Sequence, residues 1–436
     1  MQIIITEVEY NEDCVSARLA PDNGRLYPDA PVYTLICNHS KMEEPLKSAN
    51  IITSHLQKKK ECTNHRKLFP FMPTAIESFD LTGYDMVLSS SSSVAKGVIT
   101  HPDAIHICYC HSPMRYAWEF SYEYAGKMSG KGKLVQKLLG YFLTWIRVWD
   151  YASAARVDYF IANSENVAKR IRKHYRRDAV VIPPPVRCKF FRISENDGDY
   201  FLVVSRFQEY KRVDIAIDAC NRLGLKLKVV GDGPDYKRLK AMAGPTVELL
   251  GRVDDAHVKE LYAGCRAFLF PGEEDFGITP LEAMASGRPV IAYGRGGALE
   301  TVVEGVTGTF FHEQTTDSLV DALKRFETMK FDKHELRKHA EKFDDEVFKA
   351  RIKAFVEEKY NERNGVIAID ARMIQMSGIG TYIKALMGHG IYDIALGDGN
   401  DILKYDANVK VINYSDKIYG AGEQLHFPFK ELRKSG

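Results

Sequence analysis

Between Tyr200 and Phe311, short apolar runs alternate with helix-compatible stretches at a regular rhythm. The runs are YFLVVSR, KLKVVG, VELLGR, AFLFP, PVIAY and GTFF, and the stretches between them are VDIAIDACNRLG, DYKRLKAMAG, DAHVKELYAG, PLEAMASG and ALETVVEG. Successive strands separated by a helix do not close as hairpins. They cross over and pair in parallel, and a parallel sheet is covered by helices on both faces. The glycines that end most of the stretches suit helix C-termini. This part of the chain is therefore expected to be a doubly wound, Rossmann-like α/β lobe.

The preceding half carries the same rhythm less cleanly. VYTLIC, NIITS, DMVLSS, IHICYC, YFIANS and AVVIP are its strand candidates, with a long aromatic helical stretch from Lys133 to Ala155. Pro183-Pro184-Pro185 forbids helix and central strand alike and makes a stiff connector. Two lobes facing across a cleft follow, residues 1–184 and 185–345, hinged near 183–199, with a helix over 346–364 crossing back to the first lobe. The 436 residues exceed what two such lobes need. From Val366, the strand VIAIDAR, the turn SGIG, the helical TYIKALMG and the strands YDIALG and VKVINY read as the opening of another α/β domain, so 365–436 is expected to be an incomplete further segment.

The richest chemistry lies in PGEEDFGITPLEAMASGRPVIAYGRGGALETVVEG, residues 271–305. Thr279 is placed to cap a helix opened by Pro280, with Glu282 three residues on and Gly287 as terminator. Phe276, Gly277 and Ile278 precede that helix, whose free N–H groups and dipole make an anion site suited to a diphosphate. Glu274 and Glu282 stand eight apart. Ionised carboxylates accept the hydrogen bonds of a sugar diol. Equally, Glu282 completes a capping box and Glu274 is one of three solvated acids.

In SRFQEYKRVD, Arg206 ends a strand and Lys211 and Arg212 open the next helix, at the strand edge where open α/β sheets bind ligands. A diphosphate there needs compensating charge, which Arg and Lys supply. In IHICYCHSPMRYAWEF, alternation sets Ile105, Ile107 and Tyr109 on one face, and His111 falls at the carboxyl end of the strand. The cluster of His106, Cys108, Cys110 and His111 matches no common zinc spacing. SSSSS (89–93) reads as a flexible strand-to-helix turn without chemistry, and Asp197-Gly198-Asp199 as a turn.

Sixty Lys and Arg against 58 Asp and Glu leave a net charge of +2, which points to no nucleic acid. Eight scattered cysteines fit a reducing compartment. The opening MQIIITEVEYNED has charges where a secretory signal needs an apolar core, and no apolar run reaches the roughly 18 residues of a span, so a cytoplasmic, non-spanning protein is expected. Residues 127–178 hold twelve Lys or Arg against four acids, interleaved with Tyr141, Phe142, Trp145 and Trp149. Two readings stand: peripheral contact with an anionic membrane, or a core helix beside a solvated basic helix.

Together these elements resemble glycosyltransferase family 4, retaining enzymes of the GT-B fold, over about residues 20–360. The family's E-x7-E motif matches Glu274 through Glu282. The resemblance implies that Glu274 contacts the donor sugar and Glu282 the nucleotide ribose, while Phe276, Gly277, Ile278 and Thr279 line the donor site. It further implies that Arg206 and Lys211 hold the donor diphosphate, that Arg252 and Val253 lie near the base, and that His111 lies by the sugar. FDLTGYDMVLSSSSSVAKGV and CHSPMRYAWEF are similar to bacterial mannosyltransferases of O-antigen synthesis. The implied activity is retaining hexosyl transfer with GDP-mannose as favoured donor, a lipid-linked or growing glycan as acceptor, and no cofactor or metal. A catalytically silent nucleotide-sugar binder or scaffold is the alternative, and the glutamate pair disfavours an epimerase. Residues 2–27 lack the family's paired glycines, whereas 367–372 followed by 377–381 resembles that kind of beginning, as if a second family 4 module opened there.

Overall fold

A computed structural model describes residues 3–10, 27, 29–37, 49–58, 65–119, 133–196 and 198–363, with three further strands at 368–370, 394–397 and 410–413. The first sheet contains β1 (Ile3–Tyr10), β2 (Val32–Cys37), β3 (Ile51–Thr53), β4 (Met86–Ser91), β5 (Ile105–Cys110), β6 (Tyr159–Ala162) and β7 (Ala179–Val181). All pairs are parallel, in the order β3-β2-β1-β4-β5-β6-β7. β1 is the strand that the apolar-run criterion passes over, because Thr6, Glu7 and Glu9 break its pattern. It nevertheless pairs on both sides, Ile5 with Val32 and Ile3 with Met86. The helices of this lobe are α1 (Met72–Glu77), α2 (Arg115–Trp118), α3 (Lys133–Ala154) and α4 (Glu165–Tyr175).

The second sheet contains β8 (Tyr200–Val204), β9 (Lys226–Val230), β10 (Val247–Gly251), β11 (Ala267–Phe270), β12 (Val290–Tyr293) and β13 (Gly308–Phe311), parallel in the order β10-β9-β8-β11-β12-β13. All six apolar runs read from the sequence form its strands. Its helices are α5 (Val213–Leu223), α6 (Tyr236–Met242), α7 (Asp255–Gly264), α8 (Ile278–Ala285), α9 (Ala298–Thr301), α10 (Thr316–Phe326) and α11 (Lys333–Ala340). ALETVVEG is helical only over α9. Separate apolar clusters pack on the two faces of this sheet, one around Phe268, Leu281 and Met284, the other around Leu227, Ile217 and Leu323. In both sheets the chain runs outward one way and then reverses, between β1 and β4 and between β8 and β11. The crevice at such a reversal is where open α/β sheets bind ligands.

After the prolines, Val186, Cys188 and Phe191 are buried in the second-lobe core, and the Val186 N–H donates to the Phe343 carbonyl at 2.8 Å. Arg288, almost fully buried, donates to the Ser194, Asn196 and Ala263 carbonyls and ties the connector to β12. The last helix is α12 (Asp345–Arg363), and its residues up to Phe355 pack on the first lobe: Phe348 on Tyr109, Phe355 on Tyr159, and Arg351 donating to the Val181 carbonyl at 2.8 Å. By itself, the remainder contributes a parallel sheet of β14 (Ala368–Asp370), β15 (Ile394–Gly397) and β16 (Lys410–Asn413). The stretch TYIKALMG and residues 11–26 lie outside the described residues. Among the described residues no helix is long and apolar enough to cross a membrane.

Candidate active site

The second lobe builds its half of the site from the loops after β8 and β11, which flank the reversal point. Arg206 is exposed just beyond β8. The loop GDG after β9 supports it from below. Gly231 and Gly233 have φ of +141° and +156°, and a Cβ on either would overlap the Ser205 or Phe207 carbonyl. The Phe207 N–H in turn donates to the Asp232 carbonyl at 2.9 Å. Lys211, ending a short 3-10 turn, crosses the reversal point to Glu274, with Nζ 2.5 Å from Oε1. Burial opposes the Lys211 ammonium, but Glu274, Tyr210 and Asp275 together outweigh it and hold its pKa above the usual value.

α8 does not begin as its sequence suggests. Gly277 is its N-cap, at φ +91°, and no side chain among the described residues caps the helix. Thr279 therefore sits inside the first turn, and the expected capping box with Glu282 does not form. Only glycine adopts the Gly277 conformation without strain, and that shifts the start two residues earlier. One consequence favours anion binding: Gly277, Ile278 and Thr279 bring first-turn N–H groups that no intrahelical carbonyl can satisfy. Gly287, at φ +71°, ends the helix as expected, its N–H donating to the Met284 carbonyl. The Glu282 carboxylate accepts a 2.9 Å hydrogen bond from the Tyr262 hydroxyl of α7. Val253, after β10, packs on the same core as Tyr262, Leu281 and Ile278, while Arg252 is exposed. Glu274 and Glu282 thus take different partners.

The loop carrying Glu274 is fixed from behind. The Gly297 N–H donates to the Glu274 carbonyl at 2.8 Å, and a Cβ on Gly297 would overlap the Phe276 backbone. Gly296, at φ +61°, is equally tight against the Glu274 carbonyl. The pair Gly296-Gly297 is visible in the sequence, but its purpose is not, because the close approach spans a β-strand and a helix.

In the first lobe His111 is buried directly after β5, its N–H donating to the Ser91 carbonyl at 2.9 Å. Nε2 lies 2.9 Å from the Ser90 hydroxyl, and Nδ1 is buried without a hydrogen-bond partner among the described residues. Burial lowers the His111 pKa to about 4, with Asp275 of the second lobe opposing weakly, so the ring is neutral near pH 7. The serine run is misread in the sequence. Ser89, Ser90 and Ser91 belong to β4, buried, and two of them hold histidines: Ser89 binds His106 Nε2 at 2.8 Å and Ser90 binds His111. Both faces of this central strand are buried, so its hydroxyls need hydrogen-bond partners within the protein, and the two histidines supply them for Ser89 and Ser90. Of the Asp197-Gly198-Asp199 triplet, Asp197 lies outside the described residues and Asp199 pairs with Lys226.

The two lobes meet at Asp275, the residue after Glu274. Arg170 of α4 and Arg115 of α2 both pair with its carboxylate, Arg115 at 3.6 Å, and Arg170 also reaches Glu119 at 2.6 Å. Nearby, the Glu300 carboxylate of α9 accepts from the Glu165 and Asn166 N–H groups at 2.8 and 2.9 Å, at the start of α4. Arg115, Arg170, Asp275, Glu300 and Ser90 escape sequence reasoning, since each acts through a partner far away in the chain.

A model described as Glycosyltransferase Family 4 matches residues 32–190, and one described as Glycosyl transferases group 1 matches 189–343. An uncharacterized glycosyltransferase of Methanocaldococcus jannaschii is 30% identical over 171 residues, covering 38% of this chain and 48% of that protein. O-antigen chain mannosyltransferase C of Escherichia coli is 31% identical over 188 residues (39% and 51%), and glycogen synthase of Pseudomonas aeruginosa 34% over 146 (31% and 28%). The chain thus spans about half, or less, of the length of these relatives. Among solved structures, sucrose-phosphate synthase from Thermosynechococcus elongatus superposes with a TM-score of 0.63 at 15% identity, over 83% of this chain and 99% of that one. Anabaena HepE, in complex with UDP and glucose, gives 0.60 at 18% identity, over 82% and 99%. Two parallel, helix-covered sheets of this topology are the GT-B fold, and across residues 32–343 the chain belongs to the glycosyltransferases, family 4 in its first lobe and group 1 in its second.

Proposed function

We propose that the chain is a retaining hexosyltransferase that takes its sugar from a nucleotide donor bound between the lobes. The Lys211–Glu274 pair carries this reading: it sets a cation and a carboxylate side by side over the reversal point, next to the uncapped start of α8. Lys211, Arg206 and the first-turn N–H groups of α8 receive the departing diphosphate, stabilising charge as it develops. Glu282 takes the ribose, Arg252 and Val253 border the base, and Glu274 with His111 orients the sugar. His111 does so as a neutral hydrogen-bonding group through Nδ1, because its pKa is far below neutrality. The acceptor oxygen bonds to the anomeric carbon on the face from which the diphosphate oxygen leaves and gives its proton to that departing oxygen, so the anomeric configuration is kept. Two cations and a helix end supply the positive charge, and no metal is needed.

GDP-mannose is the favoured donor and a lipid-linked or growing bacterial glycan the acceptor, a reading supported by the likeness to the O-antigen mannosyltransferase. Glu274→Ala is expected to lower transfer at least about a hundredfold with folding intact. Near-normal turnover in that variant would remove Glu274 from the mechanism.

A further inference from the structure

The outward face of α3 lacks what a solvated helix face normally carries. Leu138, Tyr141, Trp145, Val148 and Tyr151 follow one another at helical spacing and form a single stripe. Each is between 46% and 65% exposed. The other exposed positions from Leu138 to Ala155 are Gly140, Thr144, Ala152 and Ala155, none of them charged. The opposite face is firmly anchored. Leu143 and Ile146 enter the first-lobe core, and buried Asp150 pairs with Lys96 while accepting from Trp118 Nε1 at 2.7 Å and the Tyr175 hydroxyl at 2.9 Å. The helix is therefore held with its apolar stripe outward, and a continuous exposed stripe of this kind marks an interaction surface.

Charge identifies what covers it. Of the four acids in 127–178, Asp150 is buried in its ion pair and Asp158, Glu165 and Asp178 are exposed, Asp178 beside Arg172. Against these three stand the exposed cations Lys137, Lys169, Arg172, Lys173 and Arg176, so the exposed charge among the described residues of this segment is positive. Tyrosine and tryptophan mixed with aliphatic residues suit the boundary between headgroups and acyl chains, and exposed cations favour anionic headgroups. We infer that α3 docks the chain onto an anionic bilayer, lying in the plane of the interface with its stripe inserted. The helix lies on the membrane and does not cross it. Docking there is independent of which donor the cleft binds.

The test is sedimentation of the full chain with vesicles of equal parts phosphatidylglycerol and phosphatidylcholine, against phosphatidylcholine alone, with tryptophan emission recorded in parallel. The wild type should bind the anionic vesicles only, shift its emission to the blue through Trp145, and bind less as salt rises. Leu138→Gln combined with Val148→Gln should weaken vesicle binding at least about tenfold at an unchanged unfolding midpoint, both sites being exposed. Absence of binding to the anionic vesicles, or equal binding by the double variant, overturns the inference. So does a wild-type dimer in sedimentation velocity that the double substitution dissolves, which would assign the stripe to a second copy of the chain.

Discussion

His106 and His111 make the first lobe acid-sensitive by an amount that follows from their burial. Desolvation lowers His106 to about 3 and His111 to about 4, from the usual 6.5. The unfolded chain takes up these protons near pH 6.5, whereas the folded chain refuses them until pH 4 or below. The stability they contribute is therefore fully present above pH 6.5 and is lost as the pH falls towards the folded values. Between pH 7 and pH 5 linkage gives a loss of about 2 kcal/mol for each histidine, about 4 kcal/mol together. The three tryptophans, Trp118, Trp145 and Trp149, all lie in the first lobe, so fluorescence during urea unfolding reports on that lobe alone. His106→Asn keeps a hydrogen-bonding group for Ser89 and removes one titration. Its stability difference between pH 7 and pH 5 should shrink by about 2 kcal/mol relative to wild type, a comparison in which carboxylate titrations cancel. A variant with the wild-type pH dependence would refute the buried neutral imidazole.

Further outcomes are expected at the site. Gly297→Ala must push a Cβ into the Phe276 backbone, so it should lower stability by about 1–3 kcal/mol and weaken donor binding, as thermal unfolding and calorimetry would register. A double-mutant cycle of Arg170→Ala with Asp275→Ala should show a coupling of about 1 kcal/mol or more in thermal unfolding, and zero coupling would mean that the lobes are not held there. Transfer should persist in excess EDTA if cations and the α8 start supply the positive charge, whereas complete loss restored by a divalent ion would contradict that mechanism.

The fold was legible because the period of apolar runs sets the parallel sheet almost by itself, and the six runs after Tyr200 all became strands. β1 was not legible, since Glu7 and Glu9 disguise a strand whose pairing lies with Val32 and Met86 far along the chain. At the site, glycine-led features carried well where local chemistry decides, as at Gly287. The α8 start differs because the cap is Gly277, in a left-handed conformation and close enough to the Phe270 ring that an added Cβ would crowd it, and a sequence pattern that looks for a side-chain cap selects Thr279 instead. The serines of β4 looked like a turn because nothing near them in sequence announces the two histidines that they hold. Arg170 and Asp275 are 105 residues apart, and no local pattern pairs them.

The most direct measurement is calorimetric binding and sugar transfer with a panel of nucleotide sugars and a lipid-linked acceptor, on the wild type and on Lys211→Ala. One donor, GDP-mannose foremost, should bind and be consumed with its anomeric configuration retained, and Lys211→Ala should weaken its binding about tenfold to a hundredfold, as loss of a charged contact does. Binding without product would make the chain a silent binder, and donor affinity unchanged in Lys211→Ala would contradict the placement of the diphosphate over the Lys211–Glu274 pair.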